Sequence, residues 1–372
     1  MAQVLPALML TSIIDTLGNH LFTWKSLSLR VRDMPSLIIV GGFFGDEGKG
    51  KIAAYLALSD KPEIIVRTGS VNAGHTVVFN GKTFKLRVIP SGFISRGSRL
   101  LIAPGALVRL DILFKEISET GTRGRVLLDY NTGIIEERHV EAELADQYFS
   151  QVIGSTLQGV GAAMIDRVAR RLKLARDFEE LKEITIDVPG AVNEALSMGR
   201  LVHVEGTQGS FLSLYHGTYP YVTSRDTTAS AIASEVGLGP KHVDDIVVVF
   251  KAYVTRVGNG PLPGELDHSE ALKLGWIEEA TVTRRIRRVA PFNIELARRA
   301  VMLNSATQIA LTKLDVLYKE SRGCREWSCL PVEARKWVEY VEDSLKTPVS
   351  LIGTCEEVNC VIDRRRELGL LR

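Results

Sequence analysis

The stretch SLIIVGGFFGDEGKGK, residues 36–51, decides how the rest of the chain is read. Leu37, Ile38, Ile39 and Val40 form a short continuous apolar run, which fits a strand covered on both faces in a parallel sheet. Gly41, Gly42, Gly45, Gly48 and Gly50 then allow a tight turn close to a ligand, and residues 52–58 read as the apolar face of a helix. Backbone amides at such a helix start attract an anion, so strand, turn and helix together predict a phosphate-binding loop.

Against the template G-x-x-x-x-G-K-[ST], Gly48 and Lys49 are in place, whereas Phe43 replaces the first glycine and Gly50 the magnesium-binding hydroxyl. Asp46 and Glu47 put carboxylates where phosphates would repel them, unless a metal or a proton transfer uses them. The bland alternative is a glycine-rich surface turn with a solvated acid pair.

The chain has 372 residues and 45% apolar content, enough for a large α/β domain. Lys and Arg number 46 against 44 Asp and Glu, so no overall field draws it to nucleic acid or anionic membrane. No stretch approaches the roughly 18 uninterrupted apolar residues of a membrane span. Residues 1–33 carry an apolar run without a preceding basic residue or a clear cleavage site. They are expected to be a dispensable extension, with a single catalytic domain over 34–372. Cys324-x4-Cys329 and Cys355-x4-Cys360 are compatible with zinc, disulfides or free thiols, and free thiols in a reducing cytoplasm are expected.

Short apolar runs at 63–67, 100–103, 126–128, 201–204, 246–250 and 308–311 alternate with helical spacing, as at 107–117 and 177–198. This predicts βα units around a mostly parallel central sheet flanked by helices, P-loop-like, with inserted subdomain loops. Asn72-Ala73-Gly74-His75-Thr76 sets small residues around one imidazole able to donate to developing negative charge. A second glycine loop at 154–161 leads into clustered arginines, and Gln208 follows a strand end, where open α/β sheets bind ligands. HGTYPYVT at 216–223 reads as a pocket wall, and 281–288 concentrates arginine forks suited to carboxylate or phosphate.

Taken together, GDEGKGK, NAGHT, EGTQG, HGTYPYVTS, KAYVTRVGNGP and LTKLDVL, in this order, resemble the adenylosuccinate synthetase family over about residues 34–353. The segment 130–201 resembles the compact form known from archaea. The resemblance implies a cytoplasmic, homodimeric, Mg²⁺-dependent ligase that joins L-aspartate to inosine monophosphate (IMP), with GTP converted to GDP and phosphate, in the first committed step toward AMP. It implies Asp46 as the base at purine N1, His75 as the acid at the transferring phosphoryl group, and Asp46 with the Gly74 carbonyl as the metal ligands. Gly45, Asp46, Glu47, Gly48, Lys49, Gly50, Lys51, Gly74, His75, Thr76 and Arg287 would meet GTP phosphates, and Lys313, Leu314, Asp315, Gly353 and Thr354 its guanine.

Asn72, Ala73, Thr156, Gln208 and Thr223 would hold IMP, and Arg170 would reach the neighbouring subunit's site. Thr281, Val282, Thr283, Arg284, Arg285, Ile286 and Arg287 would form the aspartate loop. Three departures from the family pattern stand out: Phe44 where tryptophan is usual, Arg284 and Ile286 for a glycine and an arginine, and Gly353-Thr354-Cys355-Glu356 for the usual S/G-T-G-P. A GTP-binding switch without ligation is the rival from another class, but it predicts a magnesium-binding hydroxyl after Lys49. An inactive homologue is opposed by intact Asp46, Lys49 and His75.

Overall fold

The structure is a computed structural model that describes residues 36–279 and 286–371; residues 1–33 and Thr281, Val282, Thr283, Arg284 and Arg285 lie outside the described residues. Strand β1 (Ser36–Gly41) is buried along its whole length. Ile38 and Val40 pack into one core cluster, while Leu37 and Ile39 pack with Ile52, Ala53 and Leu56 on the other side. That two-sided burial is why the strand reads as a continuous apolar run.

The remaining strands, in chain order, are β2 (Ile64–Arg67), β3 (His75–Phe79), β4 (Lys82–Leu86), β5 (Arg99–Ile102), β6 (Leu107–Val108), β7 (Val126–Asp129) and β8 (Gly133–Ile134). They continue as β9 (Thr185–Ile186), β10 (Val202–Glu205), β11 (Asp245–Lys251), β12 (Tyr253–Arg256), β13 (Arg288–Pro291), β14 (Gln308–Thr312), β15 (Val349–Gly353) and β16 (Val361–Asp363). Ten of these form one sheet in the order β16-β15-β14-β11-β1-β10-β2-β5-β7-β9. Its pairings are parallel except β15 with β16. The mostly parallel central sheet flanked by helices expected from sequence is therefore the one observed.

Because β1 lies between β10 and β11, the loops leaving the carboxyl ends of β1, β2, β10, β11 and β14 meet above the centre of the sheet. This is the switch-point position at which such sheets bind ligands. Helix α1 (Lys49–Asp60) leaves the glycine loop and covers one face, and the hairpin β3–β4 packs beside it.

Two expectations need correction. Residues 177–198 are not one helix: 3-10 turns and β9 precede a helix at Val188–Ser197, whose start is fixed by the Asp187 side chain accepting from Gly190 N and by Pro189 in the first turn. The cysteines are not free thiols, since Cys324 is joined to Cys329 and Cys355 to Cys360. Facing Cα atoms 5.6 and 5.5 Å apart allow the bonds, a property of backbone shape that spacing along the chain does not reveal.

Candidate active site

The glycine loop is braced from within. Glu47 is buried, and its Oε1 accepts from Phe43 N at 3.0 Å and Gly45 N at 2.8 Å, while Oε2 pairs with Lys49 Nζ at 2.6 Å. The acid thus faces the loop's own amides and lysine. Thr312 at the end of β14 donates from Oγ1 to the Glu47 carbonyl at 2.5 Å, tying the loop to the strand that precedes Lys313.

Gly50 shows why the hydroxyl of the P-loop pattern is missing. A Cβ there would stand 2.9 Å from His75 Cβ and 3.0 Å from the Thr76 carbonyl oxygen, so only glycine lets β3 lie against the first turn of α1. The glycine therefore brings the imidazole of His75 to the phosphate loop.

Three side chains that line the central cavity sit on left-handed backbone: Asp46 (φ 62°), Gln208 (φ 55°) and Lys313 (φ 61°). Such conformations are costly for non-glycine residues and concentrate at functional sites. The cavity has a volume of about 580 Å³, within the usual range for ligand pockets. Gly45, Asp46, Gly48, Lys49, Gly50, Lys51, Asn72, Ala73, Gly74, His75, Thr76, Thr156, Gln208, Thr223, Arg287 and Lys313 all line it.

Other expected residues stand differently. Leu314 is buried in the core, and the buried Thr354 donates from Oγ1 to the Cys324 carbonyl at 2.6 Å. Gly353 ends β15 against Lys51, whose Nζ would lie 3.1 Å from an added Cβ. Asp315 Oδ2 accepts from Arg322 Nη1 at 2.9 Å, while Oδ1 is buried without a hydrogen-bond partner. Ile286 is exposed. Arg170 is exposed and does not line the cavity of its own chain.

Buried charges at strand ends, missed in the sequence reading, organise the site. Glu205, the last residue of β10, contacts His75 Nδ1 and accepts from Ser91 N at 2.6 Å and Ser91 Oγ at 2.5 Å, with Arg67 Nη1 3.9 Å away. Burial alone would raise the Glu205 carboxyl, but Arg67 and His75 outweigh it and hold the pKa at about 2. Burial, reinforced by Arg67, lowers the His75 imidazole to about 4 against the pull of Glu205. The ring is then neutral at pH 7, with Nδ1–H donated to Glu205 and Nε2 buried without a partner.

Also on the cavity lining, Arg287 Nε lies 3.0 Å from Asp46 Oδ2, and Arg287 Nη1 holds Glu278. Lys251, at the end of β11, pairs with Glu278 at 2.9 Å. Burial would raise the Glu278 carboxyl, yet Lys251, Lys313 and Arg287 bring it far below the ordinary carboxylate range. Arg256 stacks 4.5 Å over Phe44 and donates to the Tyr221 carbonyl at 2.8 Å, which fixes the HGTYPYVT wall. One signal for these residues was present in the sequence: the apolar strand runs end in Arg67, Glu205 and Lys251, charges set just beyond buried strands.

Among the described residues no helix is long and apolar enough to cross a membrane, and no group of three His, Cys, Asp or Glu gathers to hold a metal. The family profile for adenylosuccinate synthetase matches residues 38–174 and 172–322. The adenylosuccinate synthetase of Archaeoglobus fulgidus is 51% identical over 335 residues, covering 90% of this chain and 99% of the relative. That of Methanocaldococcus jannaschii is 50% identical over 89% of this chain and 97% of the relative.

Among solved structures, the fully ligated adenylosuccinate synthetase of Plasmodium falciparum superposes with a TM-score of 0.80 at 26% identity, covering 88% of this chain and 99% of that one. A cyanophage S-2L succinoaminodeoxyadenylate synthetase, bound to dGMP and dATP as an energy donor, gives a TM-score of 0.75 at 26% identity, over 90% of this chain and 98% of that one. Half-identity along nearly the entire length of such relatives, joined to a shared fold, leaves one assignment: the chain belongs to the adenylosuccinate synthetase family.

Proposed function

We propose that Asp46, Lys49 and His75 carry the chemistry of this ligase, with Asp46 as the base. The activity itself follows from the family: GTP-dependent ligation of L-aspartate to IMP through a 6-phosphoryl intermediate, giving adenylosuccinate, GDP and phosphate. The observation that supports the residue roles is that the Asp46 carboxylate, the Lys49 ammonium and the His75 ring line one cavity, with Arg287 beside Asp46.

Asp46 takes the proton from purine N1, so that O6 becomes nucleophilic and attacks the γ-phosphorus as GDP leaves. The aspartate amine then adds at C6 and gives up a proton, which the departing phosphate takes as the C6–O6 bond breaks and O6 leaves on the phosphate. Lys49 and the amides of Gly48 and Gly50 hold the phosphates, with Lys51 and Thr76 behind them. His75 Nε2 meets the transferring group, and a phosphate dianion beside it raises the imidazole pKa, which supplies the proton this role needs. Asn72, Ala73, Thr156, Gln208 and Thr223 hold IMP, and residues 281–287 receive the aspartate carboxylates with Arg287 adjoining the base. Lys313 and Asp315 read guanine, with Leu314, Gly353 and Thr354 framing them.

The Asp46 carboxylate and the Gly74 carbonyl belong to two residues of one cavity lining and would hold a magnesium ion, which commonly takes one or two protein oxygens plus substrate phosphates. Bound there, it would neutralise charge on the phosphates. The exposed Arg170, which does not line the cavity of its own chain, supports a homodimer in which it serves the neighbouring site. We place the enzyme in the cytoplasm with its nucleotide substrates.

The test is an ultraviolet assay with IMP, aspartate, GTP and Mg²⁺, each omitted in turn, on wild type and Asp46→Asn. Turnover requiring all four, abolished in the variant while GTP still binds, is expected. Appreciable turnover by Asp46→Asn would rule out the base assignment.

A further inference from the structure

The loop that departs from the family pattern, Gly353-Thr354-Cys355-Glu356, is where the structure offers something beyond the family's known contacts. Its shape is set by the Cys355–Cys360 bond, and the carbonyls of both cysteines accept from Lys51 Nζ at 2.6 and 2.7 Å. Glu356, carried on this fixed loop, accepts from Arg322 Nη2 through both carboxylate oxygens at 2.7 Å. The other arm of the same guanidinium, Nη1, donates to Asp315 Oδ2 at 2.9 Å.

Arg322 thus links the short helix Leu314–Leu317, which bears Asp315, to the loop that bears Glu356. The Asp315 side chain is only 8% exposed, whereas those of Arg322 and Glu356 are 57% and 55% exposed, so the clasp reaches the buried carboxylate from outside. The bond from Arg322 holds Oδ2 on its own side, and Oδ1 remains a buried acceptor without a hydrogen-bond partner. A buried acceptor of this kind calls for a donor, and the side on which Arg322 holds Oδ2 biases which donors the carboxylate can meet.

We propose that Arg322 is a specificity-determining, positioning residue for the nucleoside triphosphate: by orienting Asp315 it makes the pocket select a purine edge that offers N1–H together with an exocyclic amine. This rests on the reading of Asp315 as the group that meets guanine. Arg322 touches no reacting atom, so its loss changes which triphosphate is used and leaves the chemical step alone.

The experiment measures kcat and KM for GTP and for ITP, which lacks the exocyclic amine, at saturating IMP and aspartate. Wild type, Asp315→Asn, Arg322→Gln and Arg322→Lys are compared. For Arg322→Gln the KM for GTP is expected to rise about tenfold and the preference for GTP over ITP to fall by a similar factor, as for a weakened bond to a charged group. Its kcat and the KM values for IMP and aspartate stay within about twofold. Arg322→Lys, with a point charge in place of the fork, restores part of the preference.

Equal rises in KM for GTP and ITP, or an unchanged preference in Arg322→Gln beside a collapsed one in Asp315→Asn, would overturn the role of Arg322 while leaving the guanine reading intact. An unchanged preference in Asp315→Asn would overturn both. Melting temperatures of the exposed-site variants, expected to match wild type, separate these outcomes from misfolding.

Discussion

The carboxylate of Glu205, at the end of β10, holds Nδ1 of His75, at the start of β3, across 130 residues of sequence, and both side chains are buried. An imidazole whose Nδ1–H is committed in this way has one tautomer and one orientation. Glu205→Gln removes the buried negative charge that faces Nδ1 and offers either an acceptor or a donor there, so neither the tautomer nor its polarisation is enforced. We expect kcat to fall by about 10²–10⁴, the range seen when a buried partner of a catalytic histidine is made neutral. Steady-state kinetics should show KM for IMP and GTP within a few-fold of wild type. An unchanged kcat would show that the chemistry does not depend on the Glu205 charge beside His75.

The same pair sets an acid limit on stability. Both pKa values are lower in the folded chain, His75 from 6.5 to about 4 and Glu205 from 4.5 to about 2. The unfolded chain therefore binds more protons over these ranges, and stability falls as pH drops below 6.5, first through His75 and then below 4.5 through Glu205. The His75 part is at most about 3 kcal/mol. Denaturant unfolding at several pH values should give a shallower loss between pH 6.5 and 4 for His75→Gln than for wild type. Parallel curves would contradict the neutral buried imidazole.

Gly50→Ser restores the hydroxyl of a conventional P-loop and is nevertheless expected to harm the enzyme. The new Cβ meets His75 and the Thr76 carbonyl, so β3 must shift. A displacement of this kind should lower kcat by roughly tenfold to a hundredfold. Wild-type turnover in the variant would show that His75 tolerates displacement.

The two disulfides each close a loop of sequence separation five, and on the chain-entropy account each contributes roughly 2 kcal/mol. Replacing Cys324 and Cys329 by serine should lower the melting temperature under non-reducing conditions and make it insensitive to reductant at that bridge. A melting temperature equal to wild type would mean that this pair is reduced in the purified protein.

Much of the site was legible because its signals are local. Residues 36–51 announce strand, turn and helix through glycine placement and an unbroken apolar run, and NAGHT marks itself by small residues around a histidine. The charged partners were not legible as partners: Glu205 with His75 and Glu278 with Lys251 meet only after the strands pair. The 177–198 segment misled because its charges repeat at helical spacing, whereas Asp187 and Pro189 start the helix only after two 3-10 turns and a short strand. The cysteines misled because bond formation depends on Cα separation in space.

The margins of the ten-stranded sheet are very short, two residues in β9 and three in the antiparallel β16. Long unpaired margins are templates on which neighbouring molecules add strands and clump. A parallel sheet of this width assembles slowly, through contacts distant in sequence. Stubby outer strands leave few free amides and carbonyls for another chain to capture, which favours recovery from concentrated refolding mixtures.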